Sequence, residues 1–186
     1  MGVTVEKGHI QDATFFEQAK GKRNKKGENT RDTDATFTKK GGETHHGYKG
    51  HIETNATDPY ILNTTFTTAK VHDSQQQDAL MNGEETCAYG DSAYGSNLKK
   101  NEVYNAHGIE TKFNEQGRRN HPLTPLQKAQ NRIKSITRAK VEHPFAWIKN
   151  RYMHTKVKYR GLVKNSMHWF FISAVYNFDL LARKYA

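Results

Sequence analysis

Arg138-Ala-Lys-Val-Glu142-His-Pro-Phe-Ala-Trp-Ile-Lys149 sets one carboxylate among cations near the end of a basic chain. Lys134, Arg138 and Glu142 follow at i+4 intervals, so on a continuous helix they share one surface. Thr124-Pro125 reads as the cap and first position of that helix, which is expected over about 125–150. Ile133, Ile136, Val141, Phe145 and Ile148 are expected to form its buried side, opposite the charged one. Pro144 cannot bond back to Lys140 and is expected to kink the helix just after the acid, which leaves the direction of Lys149 open. A lone acid between Lys and Arg suggests a metal ligand held beside phosphates.

Two further carboxylates stand in suggestive places. Asp12 interrupts the β-prone run Ile10 to Phe16. It either faces solvent on an edge strand or projects from a central strand into a metal site. Asp91 follows an expected strand at 86–89 and sits beside Gly90, in a segment that ends at Gly95. Open α/β sheets gather ligands at the carboxyl ends of their strands, and glycines permit close backbone approach there. Three acids around Mg²⁺ can activate an attacking oxygen and stabilise a leaving one, as cutting or joining DNA requires.

Composition narrows the partners. The chain has 186 residues, enough for one domain with a real core, and a net charge of +10. Its pI of about 9.6 points to a polyanion, either nucleic acid or an anionic surface. Cys87 is the only cysteine, so no intrachain disulfide and no cysteine zinc site can form. No secretory leader or membrane span is expected: the most apolar stretch, 167–181, is short and carries His168, Ser173, Asn177 and Asp179. It reads as a buried helix over about 166–184, capped by Asn165 or Ser166.

Between these landmarks, 20–42 reads as a basic loop or arm that includes Lys39 and Lys40, and it either contacts phosphate or serves as a solvated connector. The runs 46–53 and 60–68 read as an antiparallel hairpin, 74–83 as a short crossover helix, 99–106 as a helix and 109–113 as a strand. Residues 151–160, ending in Arg160, interleave aromatics with cations and suit contact with a nucleic-acid backbone or unstacked bases. His45, His46 and His51 match no zinc-ligand spacing. No phosphate-cradling loop or serine nucleophile elbow is present.

The ordered set IQDATFFE (10–17), THHGYKGHIET (44–54), TTAKVHDS (67–74), YGDSAYG (89–95), RAKVEHPFAWIK (138–149) and KVKYRGL (156–162) resembles the catalytic domain of DDE-type transposases of bacterial insertion sequences, in the insertion-sequence-five group. The resemblance runs from about Ile10 to the C-terminus. It implies a single α/β domain of ribonuclease H-like fold, a mixed sheet with its first three strands antiparallel and helices on its flanks. It implies Asp12, Asp91 and Glu142 as the catalytic, metal-holding acids, with Mg²⁺ as cofactor and Mn²⁺ as a substitute. Arg138 and Lys149 match the family's cations around the last acid, with implied roles on transposon-end DNA; Lys134, Lys39, Lys40 and Arg160 are further candidates for DNA contact.

The implied partner is double-stranded DNA, with a homodimer in the complex that joins two ends, no membrane, and a cytoplasmic, nucleoid-associated setting. Ser135 stands where the family often has a tyrosine. The usual N-terminal DNA-binding region is expected to be missing. That makes a non-catalytic DNA-binding remnant, or the second product of a split reading frame, the alternative reading. A basic RNA-associated protein would explain the charge but not the spaced acids.

Overall fold

A computed structural model describes residues 8–22, 24–28, 30–81, 83, 85–91 and 106–186. The helix expected at 99–106 lies outside the described residues, save its last position. Strands β1 (Gly8–Glu17), β2 (Thr36–Lys40), β3 (Glu43–Asn55), β4 (Ile61–Thr68), β5 (Cys87–Tyr89) and β6 (Glu110–Thr111) form one mixed sheet. Its order is β2-β3-β1-β5-β6, and β4 also pairs with β3. The strands β1 to β4 are joined by antiparallel pairings, and β5 pairs in parallel with β1 and β6.

The sheet therefore has one more antiparallel strand than expected. The extra strand, β2, arises inside the segment read as a basic loop, because Thr36-Phe-Thr can turn back through Gly41-Gly42 onto the start of β3. Both glycines take positive φ, which lets the connection close in two residues. The same segment also supplies Asp32 and Asp34. Their carboxylates accept the N–H groups of Gly161 and Leu162, at 2.9 Å each, and so cap the last helix from a distance.

Among the described residues the helices are α1 (Gln77–Leu80), preceded by a 3₁₀ turn at Asp73–Gln76; α2 (Pro125–Arg138); α3 (Glu142–Arg151); and α4 (Leu162–Tyr185). α4 starts at Leu162, ahead of both expected caps, Asn165 and Ser166. Asn165 is instead buried in its first turn, where it accepts the N–H of Tyr159 and donates to that residue's carbonyl. Only one side of α4 is buried, through Trp169, Ile172 and Tyr176, whereas Phe171 and Phe178 are exposed. Among the described residues no helix is long and apolar enough to cross a membrane.

The core lies between one face of the sheet (Ile10, Phe16, Tyr48, Ile52, Phe66) and the helices (Val141, Phe145, Ile148, Trp169, Tyr176). Trp169 presses onto β3 at Gly50, where a Cβ would stand 2.8 Å from the indole. The indole N–H donates to Thr64 Oγ1 on β4. A glycine here lets the largest buried side chain reach the sheet backbone.

The long helix departs from the reading in two ways. It breaks at a 3₁₀ turn, Ala139–Val141, before Glu142 and not after it. Pro144 then falls in the first turn of α3, where its missing N–H has no helical partner to lose. Secondly, Ile133 and Ile136 are 68% and 67% exposed, whereas Val141, Phe145 and Ile148 are buried. The reason is angular: at about 100° per residue Ile136 and Phe145 stand about 180° apart. Lys134 and Arg138 share the face of Phe145, so α2 turns its cations inward.

Candidate active site

Alternation along β1 decides which side chains can meet. Ile10, Asp12, Thr14 and Phe16 point to the face that carries α3 and α4; His9, Gln11, Ala13 and Phe15 point to the other. β5 runs parallel beside β1 with Gly8, His9 and Ile10 opposite Cys87, Ala88 and Tyr89. Asp12 and Asp91 each lie two residues beyond the Ile10–Tyr89 pair, and the charge of Asp91 bears on Asp12. Glu142 arrives from the first turn of α3 and Arg138 from the last turn of α2.

The half-buried Asp12 carboxyl registers this crowding. Desolvation pushes its pKa up to about 6, with the negative charges of Asp91 and Glu142 adding to the rise. The Ala13 N–H, 2.8 Å from Oδ1, and the guanidinium of Arg138 oppose it. Neighbouring negative charge thus adds to the proton affinity of Asp12, and a divalent cation beside it removes that cost. The donor set is all oxygen, which suits Mg²⁺ or Mn²⁺.

Asp12 and Asp91 line an open cleft of about 560 Å³ together with Lys39, Lys49, Asp73 and Lys149. Lys149 donates to Thr14 Oγ1 and lies 5.8 Å from the centre of the Phe16 ring, so the doubt left by Pro144 resolves with its ammonium at the cleft wall. Lys49 is held by Asp73 at 2.8 Å and by the Val71 carbonyl at 2.9 Å. Lys39 is exposed on β2, and of the Lys40 side chain nothing is described.

Lys134 and Arg160 are engaged elsewhere. The Lys134 ammonium donates to the Phe113 carbonyl at 3.0 Å, which docks α2 onto the segment after β6. Ser135 accepts the side-chain N–H of Asn114 in the same docking contact. Arg160 donates to the Thr30 carbonyl and is not among the residues that line the cleft.

The sequence model of the transposase DDE domain family matches residues 5–178, nearly the whole chain. The chain belongs to the transposase DDE domain family. Membership implies a ribonuclease H-like fold, DNA as partner and divalent metal as the general requirement of such domains. The mixed sheet and its flanking helices agree with that fold, apart from the added β2. No solved structure matches the chain.

For a DDE domain, sequence reading missed the cleft residues Lys49 and Asp73, which are remote in sequence and meet only because β3 and the turn after β4 are neighbours. Just ahead of Asp73, the His72 ring accepts the Ser74 N–H and caps the 3₁₀ turn. Cys87 is half-buried, and desolvation holds its thiol above the usual range, which suits packing and not reactivity.

Proposed function

We propose that this DDE domain is the catalytic part of a DNA transposase that cleaves transposon-end DNA and transfers the freed end into target DNA. The observation that carries the reading is that Asp12 and Asp91 line one cleft and that the charges of Asp91, Glu142 and Arg138 bear on Asp12. Asp12, Asp91 and Glu142 would hold Mg²⁺, with Mn²⁺ as substitute; the metal supplies an activated oxygen nucleophile and charge neutralisation at the phosphate.

The chain's own residues do the rest. Arg138 stands where charge develops on the reacting phosphate and offsets it, while Lys149 and Lys39 grip the backbone of the DNA in the cleft. Water breaks a phosphodiester at the transposon end and leaves a 3′ hydroxyl. That hydroxyl attacks a target phosphodiester, so one bond forms for each one broken and no nucleotide cofactor is consumed. Joining two ends calls for two copies of the chain in the working complex.

The test is nicking of a duplex carrying the element's end, by the purified chain with Mg²⁺ or Mn²⁺. Cleavage that disappears in Asp91→Asn is the expected result. Absence of cleavage by wild type, or equal cleavage by the variant, sinks the proposal. Salt-sensitive DNA binding without cleavage would leave a binding protein in its place.

A further inference from the structure

The face of β1 opposite Asp12 carries a second cluster. His9 on β1, Glu53 on β3 and Glu85 just before β5 lie 44 and 32 residues apart in sequence, yet one donor atom from each falls within 4.8 Å of the others. His9 and Glu53 are 0% exposed and Glu85 5%. His9 Nδ1 stands 3.6 Å from Glu53 Oε2 and 3.7 Å from Glu85 Oε1.

A shared proton does not account for this arrangement. A charge-assisted N–H···O bond closes to about 2.7–2.9 Å, and one Nδ1–H can be directed at only one of the two oxygens. Among the described residues neither ring nitrogen of His9 has a hydrogen-bond partner, and neither has Glu53 Oε2. Each carboxylate has its other oxygen fixed by an amide: Gln11 donates to Glu53 Oε1 at 3.1 Å, and the Gly83 N–H to Glu85 Oε2 at 2.8 Å. Glu53 Oε2 and Glu85 Oε1 are the oxygens that stand nearest the imidazole.

Separations of 3.6 and 3.7 Å suit a coordination polyhedron. Zinc bonds of about 2.0–2.2 Å to nitrogen and oxygen place neighbouring ligand atoms of a tetrahedron roughly 3.3–3.6 Å apart. Orientation of each ligand by an outer hydrogen bond is also what metal centres require. Burial keeps the Glu53 carboxyl above its ordinary range, with the charge of Glu85 adding to the rise and His9 and Gln11 opposing it.

We propose that His9 Nδ1, Glu53 Oε2 and Glu85 Oε1 form a sealed structural Zn²⁺ site, separate from the cleft, that ties β1, β3 and the entry to β5 together. Three protein ligands leave one tetrahedral position for a water, and the burial of all three residues keeps substrate from it. Its place in the fold gives it a task, since β5 leads directly to Asp91.

The test supplies Zn²⁺ alone to the full chain after chelation and dialysis. An Asp12→Asn background weakens binding in the cleft, so that retained metal reports the sealed site. About one zinc per chain is expected there, with a rise in Tm on the order of 5 °C at zinc about a hundredfold above Kd. Glu53→Gln and Glu85→Gln should each lower zinc affinity at least tenfold. No zinc retained by the Asp12→Asn chain, or retention unchanged by both Gln variants, overturns the proposal. Should the Gln variants fail to fold, X-ray absorption at the zinc edge of the Asp12→Asn chain decides: one imidazole with oxygens supports the site, and an all-oxygen shell overturns it.

Discussion

Strand β1 turns Asp12 toward an open basic cleft and, three residues earlier, turns His9 away from solvent toward Glu53 and Glu85. Both groups concentrate acids, but they balance them differently. Around Asp12 the carboxylates keep partial solvent and the guanidinium of Arg138. Around His9 no lysine or arginine pairs with Glu53 among the described residues, and water is excluded. The open arrangement can exchange ligands and substrate, whereas the closed one is stable only while its three members stay in place.

That difference predicts where mutations act. The largest effect on stability belongs to the sealed face: His9→Ala should cost about 3–5 kcal/mol in denaturant unfolding, because it leaves two carboxylates buried without a counterpart. A loss below about 1 kcal/mol would break the contrast. On the open face Asp91→Asn should lower nicking by about 10³-fold, roughly 4 kcal/mol of transition-state stabilisation, with little change in Tm. An Asp91→Asn chain that unfolds would show that the acid serves the fold.

Asp12→Asn is the finer probe. An acid whose folded pKa is raised, here to about 6 against an ordinary 3.8, binds more protons folded than unfolded between those values. Metal-free stability therefore falls as pH rises through that window. Asparagine escapes the penalty, so the variant should be more stable than wild type by on the order of 1–2 kcal/mol at pH 7 and equal to it near pH 4. A gain that persists unchanged at pH 4 would refute the electrostatic origin. The smallest effect is expected away from both faces, at Ile136→Ser, within about 0.5 kcal/mol by thermal unfolding, since that side chain is 67% exposed.

Two acids of the proposed open site stand out in sequence because they follow a strand or start a helix, where type and position carry meaning. Asp91 after a short strand and Glu142 between Arg138 and Lys149 are such cases. The sealed site does not stand out. His9 and Glu53 sit in strands buried on both faces, and polar residues there look like ordinary alternation until the pairing of Gln11 with Glu53 brings the two strands together. The α2 face was misread through phase: a stripe followed over four turns accumulates angular error, and the apolar residues at its start had already rotated outward. Strand β2 escaped notice because lysines dominate the segment around it, and charge says little about backbone pairing.

The β1–β5 register makes the chain sensitive to parity. Side chains of adjacent positions lie on opposite faces, so a single residue inserted into β5 ahead of Asp91 would aim that carboxylate away from Asp12. Two residues would return it to the same face, about 6–7 Å further along. Small insertions on this strand are thus graded by whether their length is odd or even, and a descendant that has drifted by one residue would keep its sheet while losing its cleft.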